Sequence, residues 1–428
     1  MTTYIIRRLL LMIPTFIAAT ALAFTVLQLV PSGPYEEELM KLQSQLMMSG
    51  EAGGMGMSDV GSDTPGEIPE EAKQMIKEYY GLDKPGWVRY FNWLGVYPKE
   101  MEQNLVTFKE GEASTEYRLS FDNYLKIEKN GKESATVFEK EDDIWVVSKE
   151  WKSKLVQPSD ENAVANVKIY QKKFAGILTG NLGESWKYHE PVWNLIKQRI
   201  HISAYFGLVS FLLSYLVCIP LGIWKAIKHG SKFDVISSVA VFVGYSTPGF
   251  LLGSLLLITM GGGSMWDFFP LGEFRSEHWE YLTTWEKIND QLHHSTLVII
   301  TYMVGAFASL TVLMKNSLLE NLSQDYVRTA FAKGLSERRV IFYHTVRNSL
   351  IPLATGIGGL LGIWLAGSYL VEKIFNIDGI GMLSYTAILT RDYPIILGFL
   401  AIGLTIRLVG NLISDMTYAA IDPRIRFK

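Results

Sequence analysis

The sequence predicts an all-α polytopic membrane protein with six transmembrane helices and a small α+β extracytoplasmic insertion. Three observations lead to this fold class. The 428-residue chain is 48% hydrophobic and only 19% charged, which is more apolar than the usual balance of a water-soluble enzyme. Six stretches approach the roughly 20 apolar residues that a helix needs to cross a bilayer. Lysine and arginine near the ends of these stretches fall on alternate sides of consecutive spans.

The first span, residues 9–30, follows Arg7 and Arg8 and ends at the breakers Pro31 and Pro34. A signal peptide or a twin-arginine leader is the alternative. The apolar run is too long for either, and no small-x-small cleavage pattern follows it, so we expect a retained anchor. The other five predicted spans are residues 202–224, 235–260, 296–314, 350–371 and 393–413.

The distribution of basic residues predicts the orientation of the spans. With the basic clusters facing the cell interior, both termini are cytoplasmic and the protein lies in a bacterial inner membrane. The predicted domains are then an N-terminal helix at 1–30, an extracytoplasmic insertion at 31–198, and a five-helix core at 199–428 with a cytoplasmic loop at 315–350. The clusters are Arg7 and Arg8; Lys225, Lys228 and Lys232; Lys315, Arg328, Lys333, Arg338, Arg339 and Arg347; and Arg424, Arg426 and Lys428.

The insertion shows three patterns along the chain. Residues 36–66 contain a run rich in glycine, serine and acidic residues, which is typical of a flexible linker. A helix start follows at Pro69, with a stop at Gly81. Alternating runs on both sides of Asn130-Gly131 predict a hairpin, within a β-rich subdomain at about 99–170. This subdomain is either a module that contacts a partner or a decoration without a direct role in transport.

The chain lacks the common catalytic motifs. It contains no G-x-x-x-x-G-K-[ST], H-E-x-x-H or G-x-S-x-G, so ATP hydrolysis by a P-loop and the usual zinc or serine hydrolases are excluded. His293 and His294 have no third ligand at helical spacing, and Cys218 is the only cysteine. We therefore predict no catalytic residue, no metal site and no cofactor.

Two features inside the predicted spans are candidates for a transport pathway. The third span is interrupted at "GYSTPGFLLG", where Pro248 removes a backbone donor and nearby hydroxyl groups can bond the freed carbonyls. This pattern fits a kinked helix that lines a pathway, with Ser246, Pro248 and Phe250 as gate candidates, or simple close packing of helices. Arg407 in the sixth span is either a functional charge or a residue that reaches the interface or pairs with Asp415.

The loop between the fourth and fifth spans is basic and amphipathic. From Arg328 to Arg347 it has five Lys or Arg residues and one acidic residue, Glu337. A short helix at about 324–333 presents Val327, Ala330 and Phe331, and Gly334 allows the chain to turn. Ser336 is placed to cap a following helix. The residues alone allow two functions, docking into a groove of a separate protein or lying on anionic lipid.

This loop resembles a known family. "DYVRTAFAKGLSERRVIFYHTVRNSLIP", residues 325–352, is similar to the cytoplasmic loop of ABC importer membrane subunits of the dipeptide, oligopeptide and nickel permease family, a variant of the motif E-A-A-x-x-x-G. Arg328 stands at the acidic position, Thr329 and Ala330 at the two alanines, and Gly334 at the glycine. The later I-x-L-P positions hold residues 344–347 of different type, so contacts known from other importers do not transfer to them.

The resemblance continues along most of the chain. It is nearest to the Yej-type branch, which imports oligopeptides and the peptide-nucleotide antibiotic microcin C, and residues 99–170 have no counterpart in that likeness. The similar segments are "YGLDKPGWVRYFNWL" (80–94), "GNLGESW" (180–186), "STPGFLLG" (246–253), "EKIFNIDGIGML" (372–383), "RDYPIILG" (391–398) and "DPRIRF" (422–427).

The resemblance implies a type I ABC importer permease for oligopeptides or peptide-like solutes. Its implied partners are a second permease subunit in a heterodimer, cytoplasmic ATPase subunits and an extracytoplasmic solute-binding protein, with no nucleic acid. Nucleotide-driven movement of the loop would rock the helices between two states. The residues implied in coupling to the ATPase are Arg328, Thr329, Ala330, Gly334, Leu335 and Ser336.

Three alternatives are weighed against this function. A self-powered secondary transporter or channel usually shows inverted repeats and carboxylates at mid-span, and neither is evident in the sequence. A membrane-embedded enzyme would need convergent catalytic groups in the insertion. A permease of the same family for nickel or another solute remains open, because selectivity in this class lies largely in the binding protein.

Overall fold

The computed structural model describes residues 2–30, 33–52, 68, 70–108, 113–119, 124–130, 134–141, 144–156, 166–263, 265–354 and 367–421. The chain separates into two compact units. One is the insertion, Pro31–Gly183, and the other, the helical unit, combines Met1–Val30 with Glu184–Lys428.

The insertion begins with three helices, α2 at Pro34–Ala52, α3 at Glu70–Tyr79 and α4 at Gly86–Leu94. Helix α2 occupies part of the predicted linker, so that prediction is wrong for residues 36–52. Pro34 stands at the first helical position, and Glu36 and Glu37 lie in the first turn, where the helix dipole favours acidic side chains. Residues 53–67, the rest of the predicted linker, lie outside the described residues.

Seven strands follow in the insertion and form two antiparallel sheets. One sheet has the order β1-β7-β6 and the other β2-β3-β4-β5. The predicted hairpin is confirmed by the register of β3 and β4, in which Ile127 lies opposite Val137. The strands are β1 at Lys99–Thr107, β2 at Ser114–Arg118, β3 at Tyr124–Asn130, β4 at Ser134–Glu141, β5 at Ile144–Val147, β6 at Trp151–Val156 and β7 at Asn166–Lys173.

One apolar core holds both sheets together. Phe108 follows β1, Leu125 and Ile127 lie on β3, and Val167 and Ile169 lie on β7; all five side chains are buried in one cluster. The alternation of apolar and polar residues along β3 and β7 produces this arrangement, because successive side chains of a strand point to opposite faces.

The helical unit contains α1 at Thr2–Leu29 and a run of helices from residue 192 onward. The long helices among them are α5 at Val192–Ile227, α8 at Thr284–Leu322 and α15 at Tyr393–Ile421. The shorter ones are α6 at Lys232–Ser246, α7 at Gly249–Met260, α9 at Asp325–Ala332, α10 at Glu337–Arg339, α11 at Val346–Ser349, α12 at Ile351–Ala354, α13 at Tyr369–Ile374 and α14 at Ile380–Leu389.

Helices α5 and α8 form the centre of this unit and run parallel. The Ser210 hydroxyl donates to the Ile299 carbonyl near one end of the contact, and Cys218 lies against the Phe307 carbonyl further along. At Gly222 the helices come so close that an added Cβ would lie 2.6 Å from the Cβ of Met314. Because α5 and α8 run in the same direction, the chain between the end of α5 and the start of α8 must return along the length of the two helices.

Helices α6 and α7 provide that return, with a bend of 99° at residues 247–248. Asp234 at the start of α6 contacts Lys315 near the end of α8, and Gly253 of α7 packs against Thr301. The bent pair therefore runs back along α8 and follows the path of one broken span. The predicted interruption at Pro248 is a break between two helices rather than a kink within one.

Four described helices are long and apolar enough to cross a membrane, and there are up to five candidate spans when the bent pair is counted as one. The protein is thus a multi-pass membrane protein, mostly helical, with a small strand-rich insertion. The predicted fifth span, residues 350–371, lies largely outside the described residues, which stop at 354 and resume at 367.

Candidate functional site

The basic loop, residues 323–350, folds around a small core of its own. Val327 and Ala330 of α9 are buried, together with Val340, and Leu335 packs against them. Only 1% of Val327 is accessible to solvent, whereas 46% of Phe331 is exposed. The helix predicted at 324–333 is confirmed, but its apolar face turns inward. Val327 and Ala330 therefore hold the loop together and are not free to dock a partner.

A sharp turn separates α9 from the next helix. Gly334 has φ +76°, a left-handed conformation that glycine adopts without strain, and no atom lies within 4 Å of a Cβ built on it. Ser336 stands at the N-cap of α10, but its side chain makes no capping hydrogen bond. The predicted turn at Gly334 is confirmed, and the predicted side-chain cap at Ser336 is wrong.

The outer surface of the basic loop combines positive charge with aromatic rings. Arg328 and Thr329 are exposed on α9, and Arg328 lies 3.5 Å from the exposed carboxylate of Asp325. Phe342 and Tyr343 are also exposed, Tyr343 to 76%. Exposed aromatic and arginine side chains are the residue types that dominate binding energy at protein interfaces. Sequence reasoning missed Phe342 and Tyr343, although the adjacent rings in "VIFYHT" were a usable signal.

A pair of serines fastens the basic loop to α8. The Ser317 hydroxyl donates to the Ser349 carbonyl at 2.9 Å, and the Ser349 hydroxyl lies 3.3 Å from the Ser317 carbonyl. Between α9 and Ser349 the chain forms a π-helical turn at Val340–Thr345. There the buried Thr345 hydroxyl donates to the Val340 carbonyl. Movement of the basic loop is thus linked directly to the end of α8.

The gate candidates lie at the break between α6 and α7. Pro248 has no N–H to donate to the Gly244 carbonyl, so Thr247 N donates to that carbonyl instead. The Thr247 hydroxyl then donates to the Val243 carbonyl, which would otherwise lack a partner from the helix. The Ser246 hydroxyl bonds the Phe242 carbonyl. Ser246, Pro248 and Phe250 are all exposed in this chain. The break is therefore satisfied by local hydrogen bonds and is open to a partner surface, lipid or solute.

Arg407 is separate from these residues. It is exposed on α15, and Asp415, its predicted partner, instead binds Arg8 at 2.6 Å and the Tyr4 hydroxyl at 3.0 Å. The possible pairing of Arg407 with Asp415 is thus replaced by a contact between α1 and α15. Within the described residues, no hydrogen bond or ion pair joins Arg407 to the break at Pro248 or to the basic loop.

A buried carboxylate organises the segment after α13. The Glu372 carboxylate accepts hydrogen bonds from Met382 N at 2.6 Å and from Ser203 of α5 at 3.0 Å, while the Ser203 hydroxyl accepts from Ile380 N. Burial raises the pKa of the Glu372 carboxyl above its ordinary value, and these hydrogen bonds oppose the rise. The two side chains cap the start of α14 and hold it against α5.

Asp392 precedes α15 and caps its start, because its carboxylate accepts a hydrogen bond from Ile395 N at 3.4 Å. Asp392 accepts hydrogen bonds from the Ser185 hydroxyl at 2.5 Å and from Lys187 N at 3.1 Å. The segments "GNLGESW" and "RDYPIILG", which are about 200 positions apart in the sequence, therefore meet at this point. His293 and His294 hydrogen-bond the carbonyls of Phe268 and Gly272 and so fasten the loop that follows α7.

The comparison with known proteins identifies the class. Residues 218–427 match the family described as binding-protein-dependent transport system inner membrane component. A peptidoglycan transport system permease protein, YejB, of Agrobacterium fabrum is 33% identical over an alignment that covers 100% of this chain and 99% of the relative. The chain therefore belongs to this family, the permease subunits of ABC importers.

Two further relatives also match along their whole length. The inner membrane ABC transporter permease protein YejB of Escherichia coli O157:H7 is 32% identical, with 100% of both chains covered. The dipeptide transport system permease protein DppB of Escherichia coli (strain K12) is 27% identical, again with 100% of both chains covered. Permease subunits of ABC importers are not enzymes; they work with separate ATPase subunits and with a solute-binding protein.

The alignment with the Agrobacterium permease extends over 441 positions and therefore contains gaps, since this chain has 428 residues. The expectation that residues 99–170 have no counterpart in the Yej-type branch stays a prediction.

Proposed function

We propose that this permease subunit imports oligopeptides or peptide-like solutes, and that it receives the energy of ATP hydrolysis through the basic loop. The substrate class is supported by the full-length likeness to permeases named for peptidoglycan and dipeptide transport. The observation that carries the energy route is the basic loop itself, a folded unit with a buried core, an exposed basic and aromatic surface, and a direct bond to α8.

A sixth span at 350–371 completes the proposed topology. Residue 353 lies beside Tyr215, toward the end of α5, because the Tyr215 hydroxyl bonds the Leu353 carbonyl. After the gap the chain resumes near the beginning of α5, where Glu372 bonds Ser203. The 12 positions between 203 and 215 separate these two contacts by about 18 Å along α5.

The proposed orientation places both termini and the basic loop in the cytoplasm, with the insertion outside. The Arg8–Asp415 ion pair supports termini on one side, because it joins the beginning of α1 to the end of α15. The basic clusters at the same side support the cytoplasm. A second permease subunit, in a heterodimer, would cover apolar side chains that are exposed here, such as Phe242 and Val243.

The surface of the basic loop that is proposed to contact the ATPase is formed by Arg328, Thr329, Gly334 and Ser336. It is supported from inside the loop by Ala330 and Leu335. At the break between α6 and α7, Ser246, Pro248 and Phe250 are proposed to border the solute pathway. Arg407 stays a separate candidate for that pathway, because an exposed charge on a spanning helix needs a polar surrounding.

The test replaces Gly334 with tryptophan in the assembled importer. The new side chain has open space but would project from the proposed contact surface, so we expect ATPase subunits to be lost from the purified complex and uptake to stop. Co-purification and ATP-dependent uptake into proteoliposomes are the measurements. Uptake at the wild-type rate in Gly334→Trp would remove the proposed energy route.

Gly180→Trp is the matched control. Gly180 has φ +77°, and a Cβ on it also meets no atom within 4 Å, but it lies in the insertion. The substitution therefore introduces the same backbone strain at a position that is not part of the basic loop, and ATPase binding should be kept. The side of each region can be checked by labelling cysteines at the exposed positions Tyr343 and Tyr281 in a chain with Cys218 replaced. Labelling of both from the same side would contradict the topology.

A further inference from the structure

Asp234 at the start of α6 is the centre of a buried ionic cluster that joins three helices. Lys315 of α8 lies 2.8 Å from each of its two carboxylate oxygens. Lys225 of α5 lies 3.3 Å from one of them. His229 Nδ1 and Gly230 N, in the turn between α5 and α6, each lie 3.2 Å from the other oxygen.

The two lysines hold α6 in different ways. Lys225, only 1% accessible, also donates to the Asp234 carbonyl and to the hydroxyl groups of Ser237 and Ser238, so it would keep partners without the carboxylate. The two carboxylate oxygens of Asp234 are the hydrogen-bond partners of Lys315 within the described part of the chain. Loss of Lys315 would therefore remove the ion pair between α6 and α8 and leave Asp234 paired with Lys225.

Away from this ion pair, the packing between α6 and α8 leaves a cavity of about 350 Å³. It is lined by Ala240, Val241 and Gly244 of α6, by Met303, Val304 and Phe307 of α8, and also by Leu221 of α5. The chain fastens α6 to α5 through a turn of four residues, 228–231, but 81 positions separate Asp234 from Lys315. The ion pair is thus a principal tie between α6 and α8 at this end.

The position of Lys315 on α8 connects this tie to the basic loop. Ser317, two residues further along α8, carries the hydrogen bond to Ser349, and α9 begins at Asp325. In the other direction, α6 leads to the break at Pro248. When the basic loop moves the end of α8, the ion pair between Lys315 and Asp234 transmits that movement to α6.

We propose that Lys315 is a positioning residue for transport: through Asp234 it makes α6, and with it the break at residues 246–249, follow the movement of α8. This inference rests on the proposed energy route through the basic loop. Lys315 acts through Asp234 and does not contact the solute.

The experiment compares three variants of the complete importer in proteoliposomes, and measures solute taken up per ATP hydrolysed. Lys315→Gln should lower this ratio by roughly 5- to 100-fold, the usual range of coupling between sites, while ATPase subunits still co-purify. Lys315→Arg, which can pair with the same carboxylate, should restore the ratio to within about twofold of wild type.

Lys225→Met is the matched control. It removes the more deeply buried lysine from the same carboxylate but leaves the tie to α8, so the ratio should stay within about twofold of wild type. A ratio in Lys315→Gln equal to wild type would overturn the inference. A loss in Lys225→Met as large as in Lys315→Gln would also overturn it, because the charge around Asp234, and not the link to α8, would then be what matters.

A second measurement keeps the test valid if a variant is unstable in the transport assay. Spin labels at the exposed positions Val235 of α6 and Val312 of α8 report the distance between the two helices. The distribution of that distance should stay narrow in both nucleotide states of the wild-type importer and should broaden in Lys315→Gln. An unchanged distribution in Lys315→Gln would contradict the inference. If the wild-type importer itself shows no ATP-dependent uptake, the proposed energy route fails instead.

Discussion

The basic loop and the break between α6 and α7 are both places where helices are interrupted, yet they are held in opposite ways. The loop turns at Gly334 and closes around buried Val327 and Val340, so tertiary packing fixes it. The break at Pro248 is held by hydrogen bonds from Ser246 and Thr247 to their own helix, and its side chains are exposed. The difference indicates that the loop moves as one body, whereas the break can change its angle.

The largest effect is expected from Val327→Asp, which would destroy the buried core of the basic loop. An unpaired carboxylate in that core should cost roughly 3 kcal/mol of local stability. The exposed Lys and Arg residues of the loop then become better trypsin sites, so cleavage at residues 333–347 should accelerate. Thr329→Asp, an exposed position on the same helix, is the control; equal cleavage in the two variants would show that packing does not hold the loop.

A smaller effect is expected from Ser317→Ala, which removes the hydrogen bond to the Ser349 carbonyl. Loss of one buried hydrogen bond should lower stability by about 1 kcal/mol, seen as a lower Tm in detergent. Ser323→Ala is the control, since the Ser323 hydroxyl bonds Glu320 at an exposed position. If both variants melt alike, the loop is fastened to α8 by something other than this pair of serines.

The smallest effect on stability is expected from Pro248→Ala at the break. The substitution relaxes a fixed φ and restores an N–H that can bond the Gly244 carbonyl, so the unfolding free energy should change by less than about 1 kcal/mol. The bend of 99° should open, and labels at Val239 and Leu255 should move apart. An unchanged distance would mean that packing against α8, and not proline, sets the angle.

The basic loop shows how far one sequence predicts such a site. Helix α9 and the turn at Gly334 follow from local rules of helix periodicity and glycine conformation, and both are confirmed. The inward direction of Val327 and Ala330 does not follow from such rules, because their partner Val340 lies in the π-helical turn after α10. Sequence reasoning predicted a helix at 324–333, a turn at Gly334 and a second helix after Ser336, with the apolar face of the first helix free to dock a partner. The structure instead buries that face within the loop itself.

Elsewhere the failures have the same physical origin. Asp415 could not be paired correctly from the sequence because its partner Arg8 is distant in the chain, whereas Arg407 is two turns away on the same helix. At Pro248 the sequence predicts an interruption but not the bend of 99°, because proline fixes its own φ and not the direction of the next helix. For α2, the glycine-rich residues after position 48 led the whole stretch to be assigned to a linker, although its first turns contain good helix formers.

The contact of Tyr4 with Asp415 joins residues 411 positions apart, and this has a consequence for biogenesis. As the ribosome delivers the spans to the membrane, almost the entire polypeptide must be made before Tyr4 and Arg8 of α1 can bond Asp415. A nascent chain stopped ahead of residue 415 should therefore hold α1 more loosely, and crosslinking between α1 and α15 should arise only once synthesis has passed that point.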